Sequence, residues 1–219
     1  MDTTDSGDAH GSSGRDRRAR RHAATRDEIL AAAWGVAREQ GLGAMSLSEV
    51  AARVDMRPPS LYVYFASKNA LYDALFGQAA RQFLDAYRGW LTTMSSDPTI
   101  RMRENYRFFF NFCTSDPTRY LLLFQRAIPG FVPSPESYSC AVEALALVRD
   151  DFAAMGVVAA PADLDLITAV ITGLVDQQIS NDPGGERWKS LTDRVADMVY
   201  GHLAERKTAR GERARRTRR

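Results

Sequence analysis

The sequence predicts an all-α protein of about nine helices, with a small N-terminal helix-turn-helix domain followed by a larger helical domain. Three observations carry that prediction. Apolar residues recur at spacings of three and four through segment after segment, the period of a helix with one buried face. No stretch of useful length alternates apolar with polar residues, so nothing reads as a strand. Prolines stand at the starts of several periodic stretches, where a helix tolerates them best.

Composition narrows the class. The chain has 219 residues, 45% hydrophobic and 26% charged, as an ordinary globular protein does. No apolar run approaches the roughly 20 residues that span a bilayer, and "MDTTDSGDAHGSSGRDRR" has no apolar core like a signal peptide's. Cys113 and Cys140 are the only cysteines. They suit a reducing compartment, with a single disulfide left open. A cytoplasmic location without a membrane partner is expected. Net charge is +2, but it is unevenly spread. Residues 15–68 carry ten basic and six acidic side chains, residues 206–219 eight and one, and residues 69–205 eleven and seventeen. Basic ends suit a polyanion, since lysine and arginine displace condensed counterions from phosphates; a solvated charged face is the plainer alternative.

The elements follow in order. Residues 1–24 are expected to be disordered, ending in the basic arm "RDRRARRHAA". "TRDEILAAAWGVAREQG" opens with Thr25 and has Glu28 three positions later, a capping box, and Gly41 closes the helix. "SLSEVAARV" repeats the device with Ser46 and Glu49. After Asp55 and Met56 comes a proline pair. The residue before a proline avoids the helical region, which places Pro58 outside and Pro59 at the first helical position. That helix runs to about Phe65, with Leu61 and Phe65 inward. A long helix starts at Ser67. Further helices are expected over 98–114, 117–127, 135–155, 161–181 and 185–206, with "PGFVPSP" and "NDPGGE" as connections. The domains are then 25–71 for helix-turn-helix, 72–206 for the larger helical part, and 207–219 for a disordered basic tail.

Two short helices around a tight turn, preceded by a supporting helix, form a helix-turn-helix unit. The proline pair stiffens the entry to the second helix and fixes the angle at which its first turn leaves the body. The stretch from Thr25 to Phe76 resembles the N-terminal domain of the tetracycline-repressor (TetR) family of bacterial transcription regulators. The resemblance rests on the alanine pair of the first helix, "SLSEVAARV", "PSLYVYFASKNAL" and the start of the next helix. It covers about fifty residues. Two positions depart from the family pattern. The turn residue, usually glycine, is Asp55, which tolerates the left-handed conformation better than most. A position often held by histidine is Tyr64.

The resemblance implies roles for individual residues. Ser46 and Lys68 contact phosphates, and Tyr62 and Tyr64 do so through their hydroxyls. Arg57, Pro59, Ser60 and Val63 face the major groove, with Arg57 on a guanine or equally on a phosphate, and Val63 on a thymine methyl. Each has a plainer reading: Tyr62 as packing, Lys68 as a solvated lysine, Ser46 as its own helix cap. Arg15, Arg17, Arg18, Arg20 and Arg21 form either a minor-groove arm or a non-specific electrostatic tether.

The remaining two-thirds carries no signature; there the resemblance implies a ligand-binding and dimerisation domain. The stretch 161–181 is apolar on more than one face, as a helix buried on both sides is. It and 185–206 are the expected homodimer interface, with burial inside one monomer as the alternative. Aromatic residues crowd 83–131, and the consecutive phenylalanines of "YRFFFNF" cannot all face one core. The expected lining of a cavity for a small apolar effector is Trp90, Tyr106, Phe109, Phe110, Asn111, Phe124, Asp176 and Gln177; plain core is the commoner alternative for such an aromatic stripe.

An enzyme is not expected. The histidines, His10, His22 and His202, lie near the termini, and no nucleophile elbow, Walker loop or zinc-binding spacing occurs. No catalytic residue, cofactor or metal site is therefore assigned. The expected function is a ligand-responsive repressor that binds a near-palindromic double-stranded DNA operator as a homodimer. The competing reading is a helical interaction protein that acts through its aromatic surface without DNA.

Overall fold

The computed structural model describes residues 9–157 and 160–217, with side chains described at residue 14 and through 16–157 and 160–206. These residues are all-helical, joined by turns and loops. The chain divides into two compact units. The first holds the chain up to Leu75 together with Ala127–Val132, and the second holds Phe76–Arg126 and the chain from Pro133 onward.

The first unit is built from α1 (Ala9–Gln40), α2 (Leu47–Arg53), α3 (Pro58–Leu61) and the opening turns of α4 (Lys68–Leu91). Its core gathers Ile29, Ala33 and Val36 of α1, Val50 and Ala51 of α2, Leu61, Phe65, and Leu71 and Leu75 of α4, all fully buried. Arg26 reaches across this core, with its guanidinium 4.3 Å from the Phe65 ring centroid. The Tyr72 hydroxyl donates to the Leu42 carbonyl. The Phe131 ring lies 5.8 Å from Tyr72, which explains why the loop 127–132 belongs to this unit and not to the larger part as expected.

Helix α1 corrects the expected start at Thr25. It begins by Ala9, so residues 9–24, expected to be disordered, are helical, and Thr25 is an interior position. Between Arg15 and Trp34 there is no proline or glycine, and the stretch is rich in alanine and arginine, both strong helix formers. With nothing to stop the helix upstream, the local cap is redundant. Residues 1–8 lie outside the described residues. The C-terminal end is as expected: Gly41 takes φ +86 and its N–H donates to the Ala37 carbonyl at 2.9 Å, the left-handed stop that glycine makes without strain.

The second unit contains the rest of α4, then α5 (Pro98–Ser115), α6 (Pro117–Phe124), α7 (Pro135–Ala154), α8 (Pro161–Asn181), a single 3-10 turn (Lys189–Leu191) and α9 (Thr192–Thr217). Four helices of this unit start on proline, each at the residue where the sequence predicts its start. Asp97 caps α5 by accepting from the N–H groups of Thr99 (2.9 Å) and Ile100 (3.0 Å), and Asp116 caps α6 from Arg119 N (3.1 Å). α5 packs against α6, α8 and α9. Arg103 clamps Asp197 with two hydrogen bonds of 2.6 and 2.8 Å, and Arg107 pairs with Asp193, so α5 and α9 are tied twice along their length. α9 continues to Thr217, and the tail expected to be disordered is helical over 207–217. Residues 218–219 lie outside the described residues.

One polar side chain fastens the α8–α9 connection. Gln178 is buried; its carbonyl accepts from the N–H groups of Trp188 and Lys189, both at 3.1 Å, and its amide donates to the Gly185 carbonyl at 3.1 Å. The two cysteines are free and buried, which answers the open disulfide question. Burial pushes the Cys113 thiol well above its ordinary pKa, leaving it protonated and unreactive.

Candidate nucleic-acid interface and effector cavity

The turn between α2 and α3 sets the interface. The Met56 N–H donates to the Ala51 carbonyl at 2.9 Å and the Asp55 N–H to Ala52 at 3.3 Å, the paired bonds of a Schellman stop. That motif needs a left-handed residue at Asp55, and Asp55 takes φ +51. Arg57 is the N-cap of α3, in extended conformation, and Pro58 and Pro59 fill its first turn. The helix therefore starts one residue earlier than the sequence reading places it, and Pro58 is inside. A proline at the first position loses no hydrogen bond, and its fixed φ favours the start. α3 ends at Leu61, but Val63, Tyr64 and Phe65 still donate to carbonyls of Ser60 and Leu61, so a tight turn prolongs the stub.

Leu61 and Phe65 anchor this stub in the core. The rest of it, Tyr64 apart, faces out. Arg57, Pro58, Pro59 and Ser60 are exposed, and so are the Tyr62 and Val63 side chains, 52% and 75% accessible. Apolar groups set so openly on a stub held by two buried anchors form a surface that a partner can cover.

The other expected contacts are engaged within the protein. The Ser46 hydroxyl accepts from Glu49 N (3.2 Å) and donates to the Glu49 carboxylate (2.7 Å), whose other oxygen accepts from the Gln40 amide (2.9 Å). These bonds, that from Ser46 foremost, hold the Glu49 carboxyl below the ordinary carboxylate range. Lys68 Nζ donates to the Gly43 carbonyl at 3.0 Å and lies 5.5 Å from the Tyr72 ring. Tyr64 is half-buried: its ring stacks on His22 at 4.7 Å, and its carbonyl accepts from Arg26 at 3.1 Å. The sequence reading missed His22, because it treated residues up to Ala24 as separate from the domain, and it gave Arg26 no role. Arg17, Arg18, Arg20 and Arg21 are exposed along the helical extension of α1.

The second unit holds a cavity of about 260 Å³. One stripe from each of four helices lines it: Phe76, Ala80, Phe83 and Tyr87 of α4; Asn105, Tyr106, Phe108 and Phe109 of α5; residues between Tyr138 and Phe152 of α7; and Leu164, Ile167, Thr168 and Ile171 of α8, with Leu123 and Phe124 of α6. At its polar edge the Tyr87 hydroxyl donates to Asp151 (3.1 Å), and the Asn105 amide donates to the Tyr87 oxygen (3.0 Å) and to Asp151 (3.2 Å). Arg101 pairs with the same carboxylate, whose side chain is 1% exposed. Burial, then the Asp151 charge, pushes the Tyr87 hydroxyl well above its ordinary pKa. Burial does the same for Tyr106.

Comparison with known proteins fits this geometry. Residues 29–75 match the family model described as bacterial regulatory proteins, tetR family. Residues 29–75 thus form a domain of the tetR-family type. Over 111 residues it is 31% identical to the HTH-type transcriptional activator FasR of Mycolicibacterium smegmatis, a match covering 51% of this chain and 49% of FasR. The chain thus spans about half the length of the curated relative it matches. Among solved structures, a regulatory protein superposes with TM-score 0.68 at 22% identity, covering 83% of this chain and 98% of that one. The regulator FadR of Bacillus subtilis in complex with stearoyl-CoA superposes with TM-score 0.59 at 17% identity, covering 79% and 96%. At these identities the structural likeness shows the fold alone.

Within the second unit, three of the eight expected cavity residues, Tyr106, Phe109 and Phe124, line the cavity. The others do not, and each has a physical reason. Phe110, about 40° beyond Tyr106 around α5, is packed into the core. Trp90 and Asn111 border a separate surface depression with Glu104, Arg107 and Phe112. Asp176 accepts from the Tyr120 hydroxyl (2.7 Å) and the Gln125 amide (3.1 Å). Gln177 is exposed and accepts from Asn181 (2.7 Å). The missed stripe of α4 was visible as the spacing 76, 80, 83, 87, but nothing in the sequence tells a face on a cavity from one on a solid core.

No helix among the described residues is long and apolar enough to cross a membrane.

Proposed function

We propose that this chain is a sequence-specific DNA-binding transcriptional regulator. It acts as a homodimeric repressor whose operator affinity is set by a small apolar molecule in the second unit. The observation that carries this reading is the stub around α3: Arg57, Pro59, Ser60, Tyr62 and Val63 all stand in solvent, while Leu61 and Phe65 pin its angle. Such a stub fits a major groove, where Arg57 can bond a guanine bidentately and Val63 can meet a thymine methyl. Lys68, Ser46, Tyr62 and Tyr64 position the domain on phosphates. For this, Lys68 exchanges the Gly43 carbonyl for a stronger, charged acceptor.

Two copies are needed to read two half-sites of a near-palindrome. The outer face of α8 supports such pairing: Ala169 and Gly173 are exposed and small, beside half-buried Leu166 and Val170. α9 adds Met198, 63% exposed. The cavity supports the effector, and the FadR structure with stearoyl-CoA makes a molecule with an apolar chain a reasonable occupant. The effector acts only if it binds the DNA-competent and incompetent states with different affinity. Activation is the second reading, favoured by the name of the FasR relative.

Mobility shifts of the full chain on DNA from upstream of its own gene test the reading. Wild type binds with sequence preference. Lys68→Ala weakens binding to all sequences alike, and Arg57→Ala flattens the preference by about 1–3 kcal/mol. Equal binding by all three, or none by wild type, refutes the DNA roles and leaves the helical interaction protein. A reporter behind the bound sequence separates repression from activation, and light scattering of the free protein tests the dimer.

A further inference from the structure

The cavity has a chemical signature of its own. None of its twenty lining residues carries a formal charge. Its walls are rings and aliphatic chains, so an ionised group inside would meet no counter-ion. Burying an unpaired charge costs far more than apolar contact returns. Asp151 at the polar edge is a carboxylate already paired with Arg101 and bonded by Tyr87 and Asn105, so it offers nothing to an anion. One wall group is unfulfilled. Tyr106 lines the cavity, is 1% exposed, and its hydroxyl is buried with no hydrogen-bond partner among the described residues. Buried hydroxyls are rarely left so, because a free donor has given up water for nothing.

We infer that the enclosed part of the effector is uncharged and apolar with a single hydrogen-bond acceptor, and that Tyr106 is the residue that selects it by donating to that acceptor. This rests on the reading of the cavity as the effector site. A cavity of about 260 Å³ is worth roughly nine waters at their liquid volume, so the enclosed part has on the order of ten non-hydrogen atoms. A ketone, ester or thioester carbonyl on a short chain or ring fits; a free carboxylate does not. Any larger charged portion of the molecule stays outside.

Three compounds of one shape test this by calorimetric titration of the full chain: propiophenone, propylbenzene and phenylacetate. Propiophenone is expected to bind about three- to tenfold more tightly than propylbenzene, the span of one net neutral hydrogen bond, and phenylacetate not measurably. Tyr106→Phe removes an unpaired hydroxyl and keeps the ring, so it folds at least as well as wild type. In that variant the ketone loses its advantage while propylbenzene binds unchanged. If the compounds bind but Tyr106→Phe leaves the preference intact, or if phenylacetate binds as well as the ketone, the inference is overturned and the cavity remains an effector site. If neither neutral compound binds, the effector-site reading falls and the inference with it.

Discussion

The helical extension of α1 makes a quantitative claim on DNA binding. Arg17, Arg18, Arg20 and Arg21 are exposed on a regular helix, whose residues advance by 100° each. Arg17, Arg20 and Arg21 therefore share an arc of about 100°, while Arg18 lies on the flank toward His22, the residue stacked on Tyr64. About three arginines face one direction and can meet one phosphate backbone together. Each phosphate neutralised contributes about −0.9 to the slope of log K against log salt. Replacing all four arginines with alanine, itself a strong helix former, should make that slope shallower by about 2.7. Between 50 and 200 mM salt a slope difference of that size amounts to about 1.6 decades of affinity. Variant and wild type should therefore differ most at low salt and converge as salt rises. Fluorescence anisotropy with one operator duplex across that range measures it, with Arg149→Ala, an exposed arginine of the second unit, as control. A slope unchanged within about 0.5 would show that the extension touches no phosphate.

Two stability predictions concern a buried amide of the second unit and the carboxylates held by hydrogen bonds. Gln178→Leu strands the N–H groups of Trp188 and Lys189 and the Gly185 carbonyl. It is expected to cost about 2–4 kcal/mol, a loss of roughly 5–15 °C in Tm by calorimetry; an unchanged Tm would mean the connection holds without it. The Asp193 carboxyl is held below its ordinary range by Arg107, and the Glu49 carboxyl by Ser46 and Gln40. A depressed carboxylate contributes stability that is complete above its unfolded pKa and lost as pH falls through the folded value. Urea midpoints should accordingly be level from neutrality down to about pH 4.5 and drop below it, with a shallower drop in Asp193→Asn.

How much of this was legible in the sequence depended on how local the determinant was. Asp97 and Asp116 before prolines, and Ser46 with Glu49, each decide a helix start within four residues, and each stands where the spacing places it. Asp55 in the left-handed turn and the buried pair Leu61 and Phe65 are equally local, so the exposed stub was legible in the sequence. Thr25 shows the limit. The capping-box pattern with Glu28 is there in the sequence, but a cap acts only where the helix upstream has reason to stop, and an alanine- and arginine-rich stretch gives none.

Chain order alone determined that this protein is helical, where most helices begin, and that one short proline-led segment points outward, because propensity, capping and turn chemistry act over a few residues. Tertiary structure decided the rest. Phe109 lines a cavity and its neighbour Phe110 is core, and Tyr106 is orphaned while Tyr87 is bonded. Whether a buried side chain meets another side chain or empty space depends on residues tens of positions away, and no short stretch of sequence contains both sides of that contact.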